Sequence, residues 1–143
     1  MTNIAASTTQ ASPWSIDSKV LADVEATAMS RLAPEANRID QGYYPIDIMA
    51  ELGQAGAFVP HLDSYGQRYG LALANMQAIS RQCGSTGFMT WCQDVCGLYM
   101  EQSGNPALLA RMHDHAAGKT FGGTGLSNPM KALTNIEAMA LRG

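Results

Sequence analysis

From Asp17 onward, apolar residues recur at three- and four-residue steps: Val20, Leu21, Val24, Ala28 and Leu32. That spacing puts them on one face of a helix, with Asp17 or Ser15 as its cap. Pro34 ends this helix or lies just beyond it, because proline cannot continue the hydrogen-bonded ladder. A second helix is predicted from Pro45 to about Ala55, since proline suits a first helical position and Ile46, Met49 and Leu52 share a face. Gly53 and Gly56 offer its stops. Residues 57–70 are rich in turn formers and read as a connector. A third helix, Leu71–Gln82, carries Leu73, Met76 and Ile79 in register. The fourth, Thr86–Ser103, carries Met89, Trp91, Val95, Leu98 and Tyr99. It is apolar nearly all round and is therefore predicted to be the buried, central helix. Asn105-Pro106 caps and opens a short fifth helix through about Ala117, with Leu108, Leu109 and Met112 as its face and Gly118 as its stop.

Five helices on short connectors predict a mainly α fold, an antiparallel helical bundle. The texture changes at Gly118. The stretch KTFGGTGLSNPMK opens too rich in glycine for a stable helix, and a short strand is predicted near Thr120–Gly123. The last ten residues suit a helix by propensity and also a strand. The organisation expected is a flexible arm over 1–14, a helical domain over 15–118, and a second texture over 119–143 that has barely begun at Gly143.

A chain of 143 residues buries roughly 70% of its unfolded surface, enough for a core of its own. Its charged fraction is 15%, against ~25% for a typical soluble domain. A chain so short of charge cannot cover itself with polar groups, so part of its surface is expected to be covered by something else. No apolar run approaches the ~20 residues of a membrane span, and the N-terminus has neither the basic nor the apolar segment of a secretory signal. A net charge of -3 without a Lys/Arg cluster argues against nucleic acid. Cys83, Cys92 and Cys96, odd in number, are read as reduced thiols of a cytoplasmic protein.

Chemistry-bearing patterns are few. Gly122-Gly123-Thr124-Gly125 suits either an anion cradle of converging N–H groups or a plain turn. It lacks the lysine of a P-loop and the spacing of a dinucleotide fingerprint. Cys92 and Cys96 stand four residues apart on a predicted helix, while His113 and His115 point to different sides, so a metal site or thiol sensor is a remote reading. No serine–histidine–acid set occurs, and nothing marks Glu51, Glu101, Glu137 or Asp94 as a base. Phe88, Met89, Trp91 and Tyr99 are read as core rather than as the wall of a ligand pocket.

The order of the pieces is more specific than any one of them. Asp40-Gln41-Gly42-Tyr43-Tyr44-Pro45 followed by MAELGQAGAF resembles a helix entry of the acyl-CoA dehydrogenase superfamily. Val59-Pro60 with Ser64-Tyr65-Gly66 is similar to that superfamily's connector. The helices from Leu71 and Thr86, and Ser103-Gly104-Asn105 before LLARMHDHAAGK, follow in the same order. TGLSNPMK then stands where the superfamily carries a Thr-Glu-Pro loop leading into a central β-domain. The resemblance runs over residues 17–143. Gln67 departs from a frequent glycine, Ser127-Asn128-Pro129 from Thr-Glu-Pro, and Met130-Lys131 from a small-residue continuation.

The resemblance implies an FAD-dependent oxidoreductase, commonly oligomeric. One of its carboxylates takes the α-proton of an acyl thioester while hydride leaves the β-carbon for the flavin. It implies that Leu126 and Ser127 contact the flavin ring, with Thr124 a neighbouring contact. It places the catalytic carboxylate outside this chain, so no catalytic residue and no metal ligand is assigned within it. On this basis 119–143 is the beginning of the middle β-domain, and the chain is the N-terminal portion of such an enzyme, weak in flavin binding and inactive alone. Partners implied are the missing β-domain and C-terminal bundle or a split-enzyme partner that carries them, a further copy of the chain, and acyl-CoA or a related small molecule. Two other readings stand beside it: a flavin-dependent monooxygenase-type relative, and a non-catalytic helical interaction module.

Overall fold

A computed structural model describes residues 12–140, and these are mainly helical. Helix α1 (Ser18–Thr27) starts where Asp17 accepts hydrogen bonds from the N–H groups of Lys19 and Val20. It does not stop at Pro34. Thr27 and Ser30 bond back to the carbonyls of Asp23 and Ala26, and the ladder widens into a π turn over Ala28–Leu32. A 3-10 turn over Ala33–Glu35 then takes in the proline, and α2 (Ala36–Asp40) continues the course. The widened turn keeps Ala28 and Leu32 buried while absorbing a residue that has no N–H to give.

Pro45 precedes α3 (Ile46–Gln54) rather than opening it. Gly56, at φ +90°, makes the turn beyond. Gly53 is no stop: it lies inside α3, where a Cβ would overlap the backbone of Ala117 and Gly118. The connector holds a 3-10 turn, Asp63–Tyr65, whose N–H groups at Asp63 and Ser64 donate to Glu101 at 2.9 and 3.0 Å.

Helix α4 (Tyr69–Gln82) and helix α5 (Gly84–Gln102) are joined by Cys83 alone and pack on one another more extensively than any other pair. Gly87 lets them close, since a Cβ there would overlap Ser80. The main core gathers Val24, Leu32, Ile48, Met49, Leu52, Phe58 and Ile79. Leu73, expected on the inner face of α4, is 58% exposed; Leu71, Ala72, Asn75, Ala78 and Ile79 are the buried set.

The largest departure from expectation is α5. Its buried face is Thr86, Gly87, Thr90, Gln93, Asp94, Gly97 and Met100. Phe88, Trp91, Leu98 and Tyr99 are on the outside, with Phe88 64% exposed. The helix is central, as expected, but it buries its small and polar side.

The fifth predicted helix is two short ones, α6 (Pro106–Leu109) and α7 (Met112–Ala116), broken at Ala110-Arg111. Gly118, at φ +65°, turns the chain beyond α7. There is no strand among the described residues. Thr120–Gly123 is irregular, and α8 (Ser127–Leu133) follows. The reason is local: the groups of this stretch that a neighbouring strand would pair are taken by a side chain of α5. Most of the arm expected over 1–14, and residues 141–143, lie outside the described residues. Its last part is held: Gly70 donates to the Pro13 carbonyl at 3.0 Å, and Trp14 leans on Tyr69 with ring centroids 6.0 Å apart.

Candidate functional site

The glycine-rich segment after α7 is seated on α5 by one buried amide. Gln93 is 1% exposed. Its Nε2 donates to the Thr120 carbonyl at 2.8 Å and to the His115 carbonyl at 3.2 Å, and its Oε1 accepts from the Gly122 N–H at 3.0 Å. Only one amide orientation meets two carbonyls and one N–H, so the placement of nitrogen and oxygen is determined by its partners.

His115, on α7, completes the arrangement. Its Nε2 lies 2.9 Å from the Gln93 carbonyl and must donate to it, and Nδ1 faces the Gln93 amide nitrogen at 3.3 Å, where a second ring proton would meet N–H groups already committed to the two carbonyls. The ring is therefore neutral. Desolvation holds its pKa below the ordinary histidine value, partly offset by the bond to the Gln93 carbonyl. Gly97 leaves room for the imidazole, and Gly122 lies so close to Cys96 that a Cβ would overlap its Sγ. Phe121 packs edge-on against Tyr44, centroids 6.2 Å apart at 85°.

Beyond this seat, the N–H groups of Gly123, Thr124, Gly125 and Leu126 make no hydrogen bond with the described residues. Thr124 and Leu126 are half-buried and Ser127 is exposed. Sequence order thus brings Thr124, Leu126 and Ser127 together on one short turn leading into α8. Three surface depressions of about 200 to 270 Å³ are lined by other parts of the chain.

The remaining candidates separate in space and role. Burial raises the thiol pKa values of Cys92 and Cys96, which keeps both protonated. His113 is on the surface beside Asp114, at 3.6 Å. Among the described residues no three His, Cys, Asp or Glu side chains come together as metal ligands. Glu101 is structural. Partial desolvation alone would raise its pKa, but the Ser64 hydroxyl at 2.7 Å and the amides of Ser64 and Asp63 bring it below the usual range. Glu51 pairs with Arg31 at 2.9 Å, and Glu137 with Lys131 at 3.4 Å.

Gln93 and His115 carry the seat, and neither stood out as a pair in the sequence. The available signal was the period of Thr86, Thr90, Gln93 and Gly97, a small and polar stripe as regular as the aromatic one opposite.

A helical domain whose longest helix holds a glycine-rich exit by its polar face is the class that the fold defines. The chain matches the family model for the acyl-CoA dehydrogenase N-terminal domain over residues 17–119, well over half its length. It belongs to that family. No curated protein and no solved structure matches it.

Proposed function

We propose that this chain is the N-terminal helical portion of an FAD-dependent oxidoreductase of acyl-CoA dehydrogenase type. The bound flavin would accept the β-hydride of an acyl thioester whose α-proton goes to a carboxylate. In this reading Thr124, Leu126 and Ser127 line one edge of the flavin site, where backbone N–H groups favour the electron-rich reduced ring. The family match carries the reading; the unpartnered donors directly beyond the matched region support it. In this reading the rest of the flavin's surroundings and the catalytic carboxylate come from a β-domain and a C-terminal bundle of the family. Residues 119–143 are the entry to that β-domain.

The test is reconstitution. The chain is co-expressed with a β-domain and C-terminal bundle of the family, and the flavin absorbance of each purified species is measured. Expected are stoichiometric flavin in the assembly, little or none in the chain alone, and acyl-CoA-dependent reduction only in the assembly. An assembly that forms without flavin sinks the proposal and leaves a helical interaction module. Flavin reduced by a nitroalkane, or turning over with oxygen insertion, and not by acyl-CoA, would move the chain to another branch of the same superfamily.

A further inference from the structure

We infer that Gln93 is the positioning residue of the glycine-rich exit: its side-chain amide sets the course of Thr120–Gly122 and thereby where Thr124, Leu126 and Ser127 stand. The part that concerns flavin rests on the reading proposed above; the part that concerns the chain's own course does not.

The argument begins with which groups are joined. The amide donates to the carbonyl of Thr120 and accepts from the N–H of Gly122, the two groups flanking Phe121. One residue of a parallel neighbouring strand makes the same pair of bonds with its own N–H and C=O. Gln93 therefore replaces a ladder partner with a side chain, and it reads two positions at once. A carboxylate lacks the donor, and a hydroxyl carries donor and acceptor on a single atom rather than on two spaced to meet both groups. The same amide also bonds the carbonyl of His115, and the His115 ring returns a bond to the Gln93 backbone. The end of α7 and the start of the exit are thus fixed to one residue of α5. Closeness is enforced from both sides, because Gly97 admits the imidazole and Gly122 admits Cys96. After Gly122 no hydrogen bond with the described residues holds the turn until α8, so its placement is inherited from this seat.

The core of α1, α3 and α4 is built from other residues, which lets the two roles of Gln93 be told apart. Two variants are compared with the unaltered chain by hydrogen exchange. Gln93→Met keeps the length of the side chain and removes both of its hydrogen-bonding groups. Gly122→Ala leaves Gln93 intact and pushes the exit off Cys96.

In both variants protection of the bonded amides of this stretch, Gly122 above all and Gly118 and Lys119 beside it, is expected to fall about tenfold or more, as loss of one or two buried hydrogen bonds implies. Protection in α1 and α4 stays within about twofold. Unchanged protection at Gly122, Gly118 and Lys119 in Gln93→Met overturns the inference, and so does an equal loss throughout α1 and α4. In the reconstituted assembly, Gln93→Met is expected to weaken flavin affinity about tenfold and to alter the visible circular dichroism of the bound flavin. Localised loosening with flavin affinity and dichroism unchanged overturns the flavin part. An unaltered assembly that binds no flavin overturns the proposed function and leaves the exchange result standing.

Discussion

Asp94 lies 6% exposed on the buried face of α5, with Oδ1 unpaired, and burial pushes its pKa well above the ordinary carboxyl value. Its neighbour across the packing is His61, whose Nε2 donates to the Asp94 backbone carbonyl at 2.9 Å and whose Nδ1 is also unpaired. A group whose folded pKa is raised favours folding below its unfolded value, and that contribution is lost as pH rises through the folded one. At neutral pH the unfolded chain ionises this carboxyl freely while the folded chain resists. Asp94→Asn is therefore expected to raise Tm at about pH 8, with the gap over the unaltered chain closing towards pH ~4. Thermal unfolding at the two pH values measures it, and a gap of equal size at both would show that the acid is not held neutral. In the sequence Asp94 looked like any other carboxylate, because burial is a property of the face on which a residue ends up. Asp17 was legible as a cap for the opposite reason: its role depends only on the next three residues.

Most helices are where their periodicity placed them, since three- and four-residue spacing is a local property of the chain. The errors arise where a second element intervenes. On α5 two stripes compete: Phe88, Trp91, Val95 and Leu98 on one side, and Thr86, Thr90, Gln93 and Gly97 on the other. A rule that buries the apolar stripe chooses the first. The fold buries the second because α4 and the glycine-rich exit need close approach and hydrogen bonds, which small and polar side chains supply. Gly53 shows the same effect on α3. Read alone it is a helix stop; in the structure it is the place where the turn after α7 meets α3 backbone to backbone. Gly53→Ala would gain helix propensity in isolation. Here the added Cβ meets main chain that cannot rotate away, so the substitution is expected to cost about 1–3 kcal/mol in unfolding free energy. Denaturant titration decides between the two: a more stable variant would mean that α3 and the turn at Gly118 are not in contact in solution.

The low charge of the chain becomes intelligible once the exposed side of α5 is known. Phe88 and Trp91 stack with centroids 5.5 Å apart and an interplanar angle of 27°, and Leu98 and Tyr99 extend the same stripe into solvent. These side chains contribute little to the domain's own core, yet they occupy the face that a soluble helix normally gives to charge. In the enzyme proposed above, that face would meet the β-domain or the C-terminal bundle. On that proposal two demands fall on one helix: a polar stripe that holds the exit, and an aromatic stripe left for a partner. The consequence is a separation of stability from association. Phe88→Lys combined with Tyr99→Lys removes apolar surface only from the outer stripe, so the free energy of unfolding of the isolated chain is expected to change by no more than about 0.5 kcal/mol per site. Self-association of the chain at high concentration, followed by sedimentation, is expected to fall. Assembly with the β-domain and C-terminal bundle is expected to be lost even though the helical domain stays folded by circular dichroism. If the double variant instead unfolds the domain, the aromatic stripe belongs to its own core and the exposed setting of α5 is wrong. If the variant folds and still assembles with bound flavin, the partner covers another face, and the shortage of charge needs a different cause.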